Sequence, residues 1–269
     1  MRVELCSFKD IEHIINDVSK KSIAYLPVGC IEQHGPILPL ATDSLIATAI
    51  AEDLCNLKSS QEFNGVVYPP VTYTPSRSNI SFKGSVTIDE SVFRSYLENI
   101  CTSILRHRFS AIALICMHGP AEPSLIEIAF RMNQLQIESG EEFRPLIVLG
   151  VSQLSAVFRH VLGDACGKHA DSREFLLLYK ALGKDFFDQE RMDRLQAFND
   201  TYHSATVPET TLVGIPMNYR SVDGVIGSPL PGGRSDYDNL SNQLWSNILD
   251  VLSAEIDAAV MEAGDICST

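Results

Sequence analysis

The sequence predicts one α/β domain with a mostly parallel central sheet that helices cover on both faces. Three short runs, at 22–29, 111–116 and 146–151, are apolar almost throughout, and longer amphipathic segments separate them. Strands that are apolar on both sides are typical of a parallel sheet buried between helices. No repeat, low-complexity stretch or obvious linker divides the chain, so we assign residues 1–269 to a single domain.

The first part of the chain contains two predicted strands and two predicted helices. A buried strand from Ser22 to Gly29 precedes a helix from Asp43 to Asn56, whose apolar residues recur at helical spacing. Val66 to Tyr68 predicts a short strand that two prolines close. Thr87 to Glu90 has the pattern of a capping box, which predicts a helix that runs to about His107.

The second part of the chain repeats this alternation. The strands are predicted at Ala111 to Cys116 and Leu146 to Val151, with a helix between them that starts near Pro123 and stops at Gly140. Further helices and a long loop rich in Gly and Pro complete the pattern: helices at Glu174 to Leu182 and Asp236 to Ala263, and the loop at Val207 to Gly233.

The bulk composition excludes several classes of partner. Lys and Arg number 21 against 34 Asp and Glu, a net charge of −13, whereas nucleic acids and anionic membranes require clustered basic residues. The 7 cysteines are scattered without a Cys-x-x-Cys pair, which favours free thiols in a reducing compartment. The first ten residues lack the apolar core of a signal peptide, and no run approaches the roughly 20 apolar residues of a membrane span. We therefore expect a cytoplasmic protein whose partner is neither nucleic acid nor membrane.

Acidic and imidazole side chains follow the predicted strands where active sites of such sheets gather. Glu32 and His34 follow the first strand, Asp43 opens the next helix, and His118 directly follows the Ala111 strand. A further polar stretch, 166–174, comes after the Leu146 strand. Mixed oxygen and nitrogen donors suit Zn, Mn or Fe better than Ca or Mg. Spacing alone leaves open a solvated turn or a core histidine at these positions, so a hydrolytic metal site is one of several interpretations.

A resemblance to a known family favours the metal-site interpretation of these residues. The segment 27–43 reads PVGCIEQHGPILPLATD and resembles the signature loop of the creatininase (creatinine amidohydrolase) family, typically P-V-G-S-x-E-Q-H-G-P-H-L-P-L-x-T-D. Weaker similarities follow in the family's order: FKGSVT at 82–87, HG at 118–119, HADSRE at 169–174 and GVIGSP at 224–229. The resemblance extends from about 20 to 260 and implies a creatininase-like domain.

The resemblance also implies roles for individual residues. Glu32, His34, Asp43 and His118 would be metal ligands, with Asp43 as the bridge between two ions. Glu174 would be a further ligand or bridge and, with His169, would belong to the catalytic residues; His169 would be the acid/base. One or two divalent transition-metal ions (Zn, Mn or Fe) would activate a hydroxide that attacks an amide-type C–N bond. The family implies a small-molecule substrate and a ring-like homo-oligomer, commonly a hexamer.

Departures from the family pattern cluster at the site. Ile37 replaces a supporting histidine, and Ser78-Asn79 stands where many members have Glu-His. Pro120 occupies the position of a metal-binding glutamate in creatininase, and the role of the nearby Glu122 stays open. Because the candidate ligands remain while their neighbours differ, we predict a working metal site with a remodelled substrate pocket.

The predicted activity is hydrolysis of an amide-type C–N bond, other than a peptide bond, in a small polar metabolite other than creatinine. A cyclic amide or a formamide would fit. Two alternatives remain: a metal-dependent enzyme that does not hydrolyse, such as an isomerase, a cyclase or a C–C lyase, and a non-catalytic binding or assembly protein.

Overall fold

A four-stranded, all-parallel sheet forms the centre of the computed structural model, which describes residues 1–59, 63–140, 142–163, 167–202, 215–232 and 236–266. The spatial order is β2-β1-β3-β4, with β1 at Lys21–Val28, β2 at Phe63–Val67, β3 at Ala111–Cys116 and β4 at Leu146–Gly150. Val28 lies beside Cys116, and Cys116 lies beside Gly150. The three longest apolar runs of the sequence therefore end at one edge of the sheet.

Helices in the described residues cover both faces of this sheet. They are α1 (Phe8–Asn16), α2 (Thr42–Ser59), α3 (Glu90–Leu105), α4 (Glu122–Ser139), α5 (Ser155–Leu162), α6 (Ser172–Phe186), α7 (Gln189–Thr201) and α8 (Tyr237–Ile266). Within these residues, no helix combines the length and apolar character needed to cross a membrane.

The two faces of the sheet build two separate hydrophobic clusters. Ile23 and Tyr25 of β1 pack on one side with α2, α5, α6 and α8. Ala24, Leu26 and Val28 point to the other side and pack with α1, α3 and α4. Because successive side chains of a strand face opposite ways, burial on both sides requires the uninterrupted apolar runs of the sequence. The predicted fold class is confirmed.

Several predicted elements are confirmed and others need correction. Gly140 ends α4 in the left-handed region, at φ 68°, as the sequence predicts. The predicted capping box is wrong: α3 begins at Glu90 after Asp89, and the Thr87 hydroxyl instead accepts a hydrogen bond from the Ser76 amide. The Thr87 hydroxyl therefore accepts a hydrogen bond from a distant residue instead of capping the helix.

Other element boundaries shift because of contacts between distant residues. Strand β2 begins at Phe63 rather than Val66, since pairing with β1 starts at Lys21. Helix α6 begins at Ser172, before the predicted Glu174, because the Asp171 side chain caps it. The sequence pattern did not predict α1, α5 or α7. The long loop predicted at Val207 to Gly233 lies partly outside the described residues.

The junction between β1 and α2 is packed too closely for any side chain at Gly29. A Cβ atom built there would overlap the backbone nitrogen and Cα of Ser44. Ser44 also donates a hydrogen bond from its hydroxyl to the Cys30 carbonyl. This contact holds the first turn of α2, with Asp43, against the end of β1.

We expect Gly29→Ala to lower the free energy of unfolding by about 1–3 kcal/mol, because the added methyl overpacks a rigid backbone contact. Urea denaturation measures the change. Gly264→Ala in α8 is the matched control, since a Cβ there meets open space and alanine favours a helix. Equal stability of the two variants would contradict the close packing at Gly29.

Candidate metal centre

The loop after β1 brings its polar residues back toward the start of α2. Its two arms are joined by a hydrogen bond from the Glu32 amide to the Leu40 carbonyl at 2.9 Å and by a bridge between His34 and Leu38. The Val86 amide donates to the Ile31 carbonyl and ties the loop to a neighbouring segment. The loop therefore presents Glu32 and His34 on the same side as Asp43.

Asp43 is the centre of the cluster. Its Oδ1 lies 3.1 Å from His34 Nε2, and its Oδ2 lies 3.0 Å from His118 Nδ1. The Cys30 thiol also donates to Oδ2, over 3.2 Å. Only 4% of the Asp43 surface is exposed, so protein donors take the place of water around this carboxylate.

Backbone carbonyls fix the orientation of both imidazoles. His34 Nδ1 donates to the Glu32 carbonyl at 3.0 Å, and His118 Nε2 donates to the Pro75 carbonyl at 3.0 Å. Because a carbonyl only accepts, each of these nitrogens carries a hydrogen. The opposite nitrogen of each neutral ring therefore directs a lone pair at Asp43. Two lone pairs facing a carboxylate require a positive charge between them, either protons or a cation.

Two more carboxylates converge on the same point. Glu32 Oε1 lies 3.6 Å from His118 Nδ1, while its Oε2 accepts from Asn79 Nδ2 at 2.9 Å. Glu174 Oε2 lies 3.5 Å from His34 Nε2 and accepts from the Ala170 amide at 2.7 Å. Three buried carboxylates in such proximity form a strongly negative site, which favours cations.

The titration of the central groups follows from this charge. Burial by itself would lower the pKa of His34, but the Asp43, Glu174 and Glu32 carboxylates raise it to about 10. The same balance raises the pKa of His118. Burial would raise the pKa of Asp43, but the charge of His34 and the hydrogen bonds from His118 and His34 hold it well below its ordinary value. The carboxylates of the cluster thus favour positive charge on the two imidazoles.

His169 approaches the cluster from the segment before α6. Both amide hydrogens of Gln33 are engaged, by Asn79 Oδ1 at 2.8 Å and by the Gly224 carbonyl at 3.0 Å. His169 Nε2 lies 2.9 Å from both Gln33 Nε2 and the Gln33 backbone carbonyl oxygen. Because neither hydrogen of Gln33 Nε2 is available to the ring and a carbonyl only accepts, His169 Nε2 carries a hydrogen and donates it to the carbonyl. Its Nδ1 consequently has the lone pair and faces Glu32 Oε1 at 3.8 Å. Burial and the nearby charge of His34 lower the pKa of His169.

The donor atoms fall into three overlapping groups, in each of which they lie within 4.8 Å of one another. Asp43 belongs to two of the groups and could be shared by two ions. The groups are Cys30, Glu32, Asp43 and His118; Glu32, His34 and His169; and His34, Asp43 and Glu174. Oxygen and nitrogen donors of this kind fit Zn, Mn or Fe. The described residues thus form a possible metal-binding cluster.

The structure brings all six predicted site residues together, from segments as far apart in sequence as 32 and 174. Glu122, whose role the sequence left open, lies apart from the three donor groups of the described residues. It accepts hydrogen bonds from the amide and hydroxyl of Ser152 beside Gly150. A buried local role thus accounts for this carboxylate.

Two supporting residues were missed by the sequence analysis. Asn79, interpreted only as a departure from the family pattern, holds both Glu32 and Gln33. Arg173, to which the sequence pattern assigns no role at the site, is buried and donates to Glu174 Oε1 at 2.8 Å. The amide of Asn79 could have been recognised as a carboxylate donor, but its partner is 47 residues away.

Comparison with known proteins connects this site to a family. The profile of the Creatininase family, described as creatinine amidohydrolase, matches residues 6–236. A mycofactocin precursor peptide peptidase of Mycolicibacterium smegmatis is 44% identical over 64 residues, which cover 23% of this chain and 26% of that protein. Creatinine amidohydrolase of Pseudomonas putida is 24% identical over 131 residues, 47% of this chain and 49% of that protein. Each match thus spans less than half of the curated relative.

Solved structures share the fold across nearly the whole chain. The crystal structure of a creatinine amidohydrolase (creatininase) superposes with a TM-score of 0.69 at 20% identity, covering 97% of this chain and 96% of that one. A mutant creatininase described as of Zn-Zn type gives a TM-score of 0.70 at 19% identity, with the same coverage. These similarities establish the fold, and the family profile extends over well more than half of the sequence. The chain belongs to the creatininase family.

Proposed function

We propose that the protein is a metal-dependent hydrolase that cleaves an amide-type C–N bond in a small polar substrate. The observation that carries the proposal is the convergence of three buried carboxylates with two imidazoles whose outer nitrogens are bound to backbone carbonyls. Membership of a family whose described activity is amide hydrolysis supports the same reaction class.

Five residues would hold the metal: Glu32, His34, Asp43, His118 and Glu174. Their donor atoms suit one or two divalent transition-metal ions, with Asp43 between the two positions. The descriptions of neighbouring creatininases as Zn-Zn type and as Mn favour zinc or manganese. When bound, such a cation supplies Lewis-acid polarisation of a carbonyl and activation of water at neutral pH.

His169 is the residue that we assign to proton transfer. Its Nε2 hydrogen bond to the Gln33 carbonyl leaves Nδ1 free of a hydrogen and turned toward the cluster. Cleavage of a C–N bond requires a proton on the departing nitrogen, which a positioned imidazole can accept from the nucleophile and then deliver. Gln33 fixes the ring through its carbonyl, and Asn79 fixes Gln33.

The family departures near the cluster support a substrate other than creatinine. The Ile37 side chain offers no polar atom where the family pattern has histidine, and the Ile37 carbonyl accepts a long hydrogen bond from Arg191 Nη1 at 3.4 Å. The Pro120 side chain has no donor atom for a metal where creatininase has a glutamate. The loss of these polar side chains would favour a different leaving group while the candidate metal ligands stay in place.

A peptide bond is the second candidate for the bond that is cleaved. The curated relatives named mycofactocin precursor peptide peptidase favour it, against our prediction of a C–N bond other than a peptide bond. Both bonds are amides and would use the same metal ligands and the same proton transfer. The two candidates therefore differ in the substrate pocket rather than in the chemistry.

A substrate panel in heavy-oxygen water tests hydrolysis directly. We expect the metal-loaded protein to hydrolyse at least one cyclic amide, formamide or short peptide to an amine and a carboxylate, which stay in one molecule for the cyclic amide, and to place one solvent oxygen in the carboxylate. Mass spectrometry of the products measures the incorporation. Turnover without solvent oxygen would indicate an isomerase, cyclase or C–C lyase instead, and an unreactive, metal-free protein would favour a binding or assembly role.

Substitution of ligands should remove metal and turnover together. We expect Glu32→Gln and His34→Ala to weaken zinc and manganese binding by more than about 100-fold, because each deletes a donor from the converging group. Elemental analysis and competition with a chelator measure the loss.

Glu122→Gln is the matched control for that prediction, since it neutralises a buried carboxylate outside the donor groups. It should retain stoichiometric metal. If chelation left turnover unchanged, or if Glu122→Gln lost metal while Glu32→Gln kept it, the assignment of the ligands would be wrong.

His169→Asn should separate proton transfer from metal binding. We expect kcat to fall by about 10²–10⁴-fold while the metal content stays the same, because the imidazole moves a proton without being needed as a ligand. His160→Asn, at an exposed histidine of α5, should leave both quantities unchanged. Loss of metal from His169→Asn would show that His169 is a ligand rather than the acid/base.

The family and the composition support a proposal on the oligomeric state and the location of the protein. We expect a homo-oligomer, a hexamer by resemblance, in the cytoplasm. Size-exclusion chromatography with light scattering gives the number of subunits.

A further inference from the structure

The cysteine at the end of β1 occupies an unusual position for a buried thiol. Cys30 has no exposed surface and belongs to neither hydrophobic cluster of the described residues; its thiol contacts a carboxylate. Its sulfur donates to Asp43 Oδ2 over 3.2 Å, the same oxygen that faces His118 Nδ1 at 3.0 Å. A thiol that only filled space would contact apolar atoms instead.

The sulfur also completes a group of four potential ligands. Cys30 Sγ, one oxygen each of Glu32 and Asp43, and a nitrogen of His118 all lie within 4.8 Å of one another. Four protein donors are the usual number for tetrahedral zinc. The other donor groups around His34 contain three donors each and no sulfur.

We propose that Cys30 is a thiolate ligand of the metal position formed with Glu32, Asp43 and His118, and that it makes this position selective for zinc over manganese. The inference deepens the proposed function and rests on it. Thiolate sulfur is a soft donor, which zinc accepts readily, whereas manganese prefers carboxylate, carbonyl and water oxygens. On binding, the S–H bond breaks, the sulfur electron pair enters the coordination bond and the proton is released to water.

A thiolate ligand at one metal position would give the two positions different roles. A position with four protein donors is closed and binds its ion tightly, whereas a position with three donors leaves room for water or substrate. We therefore place substrate contact at the group of His34, Asp43 and Glu174, near His169. The position that contains Cys30 would hold its ion mainly to orient the shared Asp43.

Cobalt(II) is the probe that tests this ligand, because a thiolate bound to cobalt gives a charge-transfer absorption band in the near ultraviolet. We expect the band in the cobalt-loaded wild-type protein and its loss in Cys30→Ser. Zinc affinity of Cys30→Ser should fall on the order of 10- to 100-fold, with little change for manganese, as competition with a chelator measures.

Cys116→Ser is the matched control. Cys116 is equally buried, and its sulfur donates to the His118 carbonyl at 3.3 Å, but it belongs to none of the donor groups of the described residues. This variant should keep both the band and the zinc affinity of the wild type.

The outcomes separate this inference from the proposed function. Cobalt that binds in a His34-dependent manner without the band, or a band that persists in Cys30→Ser, would overturn the role of Cys30 alone. A wild-type protein that takes up neither cobalt nor zinc in stoichiometric amounts would overturn both proposals.

Discussion

The buried contact of Asp43 with two imidazoles is the interaction on which the site depends. Each oxygen of this carboxylate faces one ring nitrogen, and each ring is held from behind by a backbone carbonyl. Rings held in this way cannot turn their inner nitrogens away from the Asp43 carboxylate. The nearby carboxylates of Glu32 and Glu174 add further negative charge at the same point. A positive charge must therefore occupy the centre, either as protons on the imidazoles or as a bound cation.

The parallel sheet brings Asp43 and the two imidazoles together on elements that are already fixed by folding. Strands β1 and β3 are paired in parallel, and Val28 at the end of β1 lies beside Cys116 at the end of β3. The loop that contains Glu32 and His34 therefore starts next to the segment that contains His118. Close packing at Gly29 sets the first turn of α2, and Asp43 with it, against the end of β1. Ligands anchored on rigid elements keep their geometry before a metal arrives, which reduces the entropy lost on binding.

The outer contacts show how the site differs from the family pattern without losing its centre. Asn79 replaces a histidine of that pattern, yet its amide donates to Glu32 and accepts from Gln33. Arg173 neutralises part of the charge of Glu174 from the side away from His34. These neighbours orient the candidate ligands through hydrogen bonds that several residue types can provide.

The sequence by itself determined the fold class and three of the four strands to within a residue or two, and its resemblance to a family predicted the six candidate site residues that the fold brings together. Uninterrupted apolar runs indicate a buried parallel sheet, and the segment 27–43 is specific because it resembles the family pattern over 17 consecutive positions. The start of β2, the cap of α3 and the roles of Asn79, Arg173 and Cys30 were decided only by the tertiary structure. Their partners lie across the sheet or in distant loops, and no local pattern encodes a hydrogen bond between residues 32 and 79.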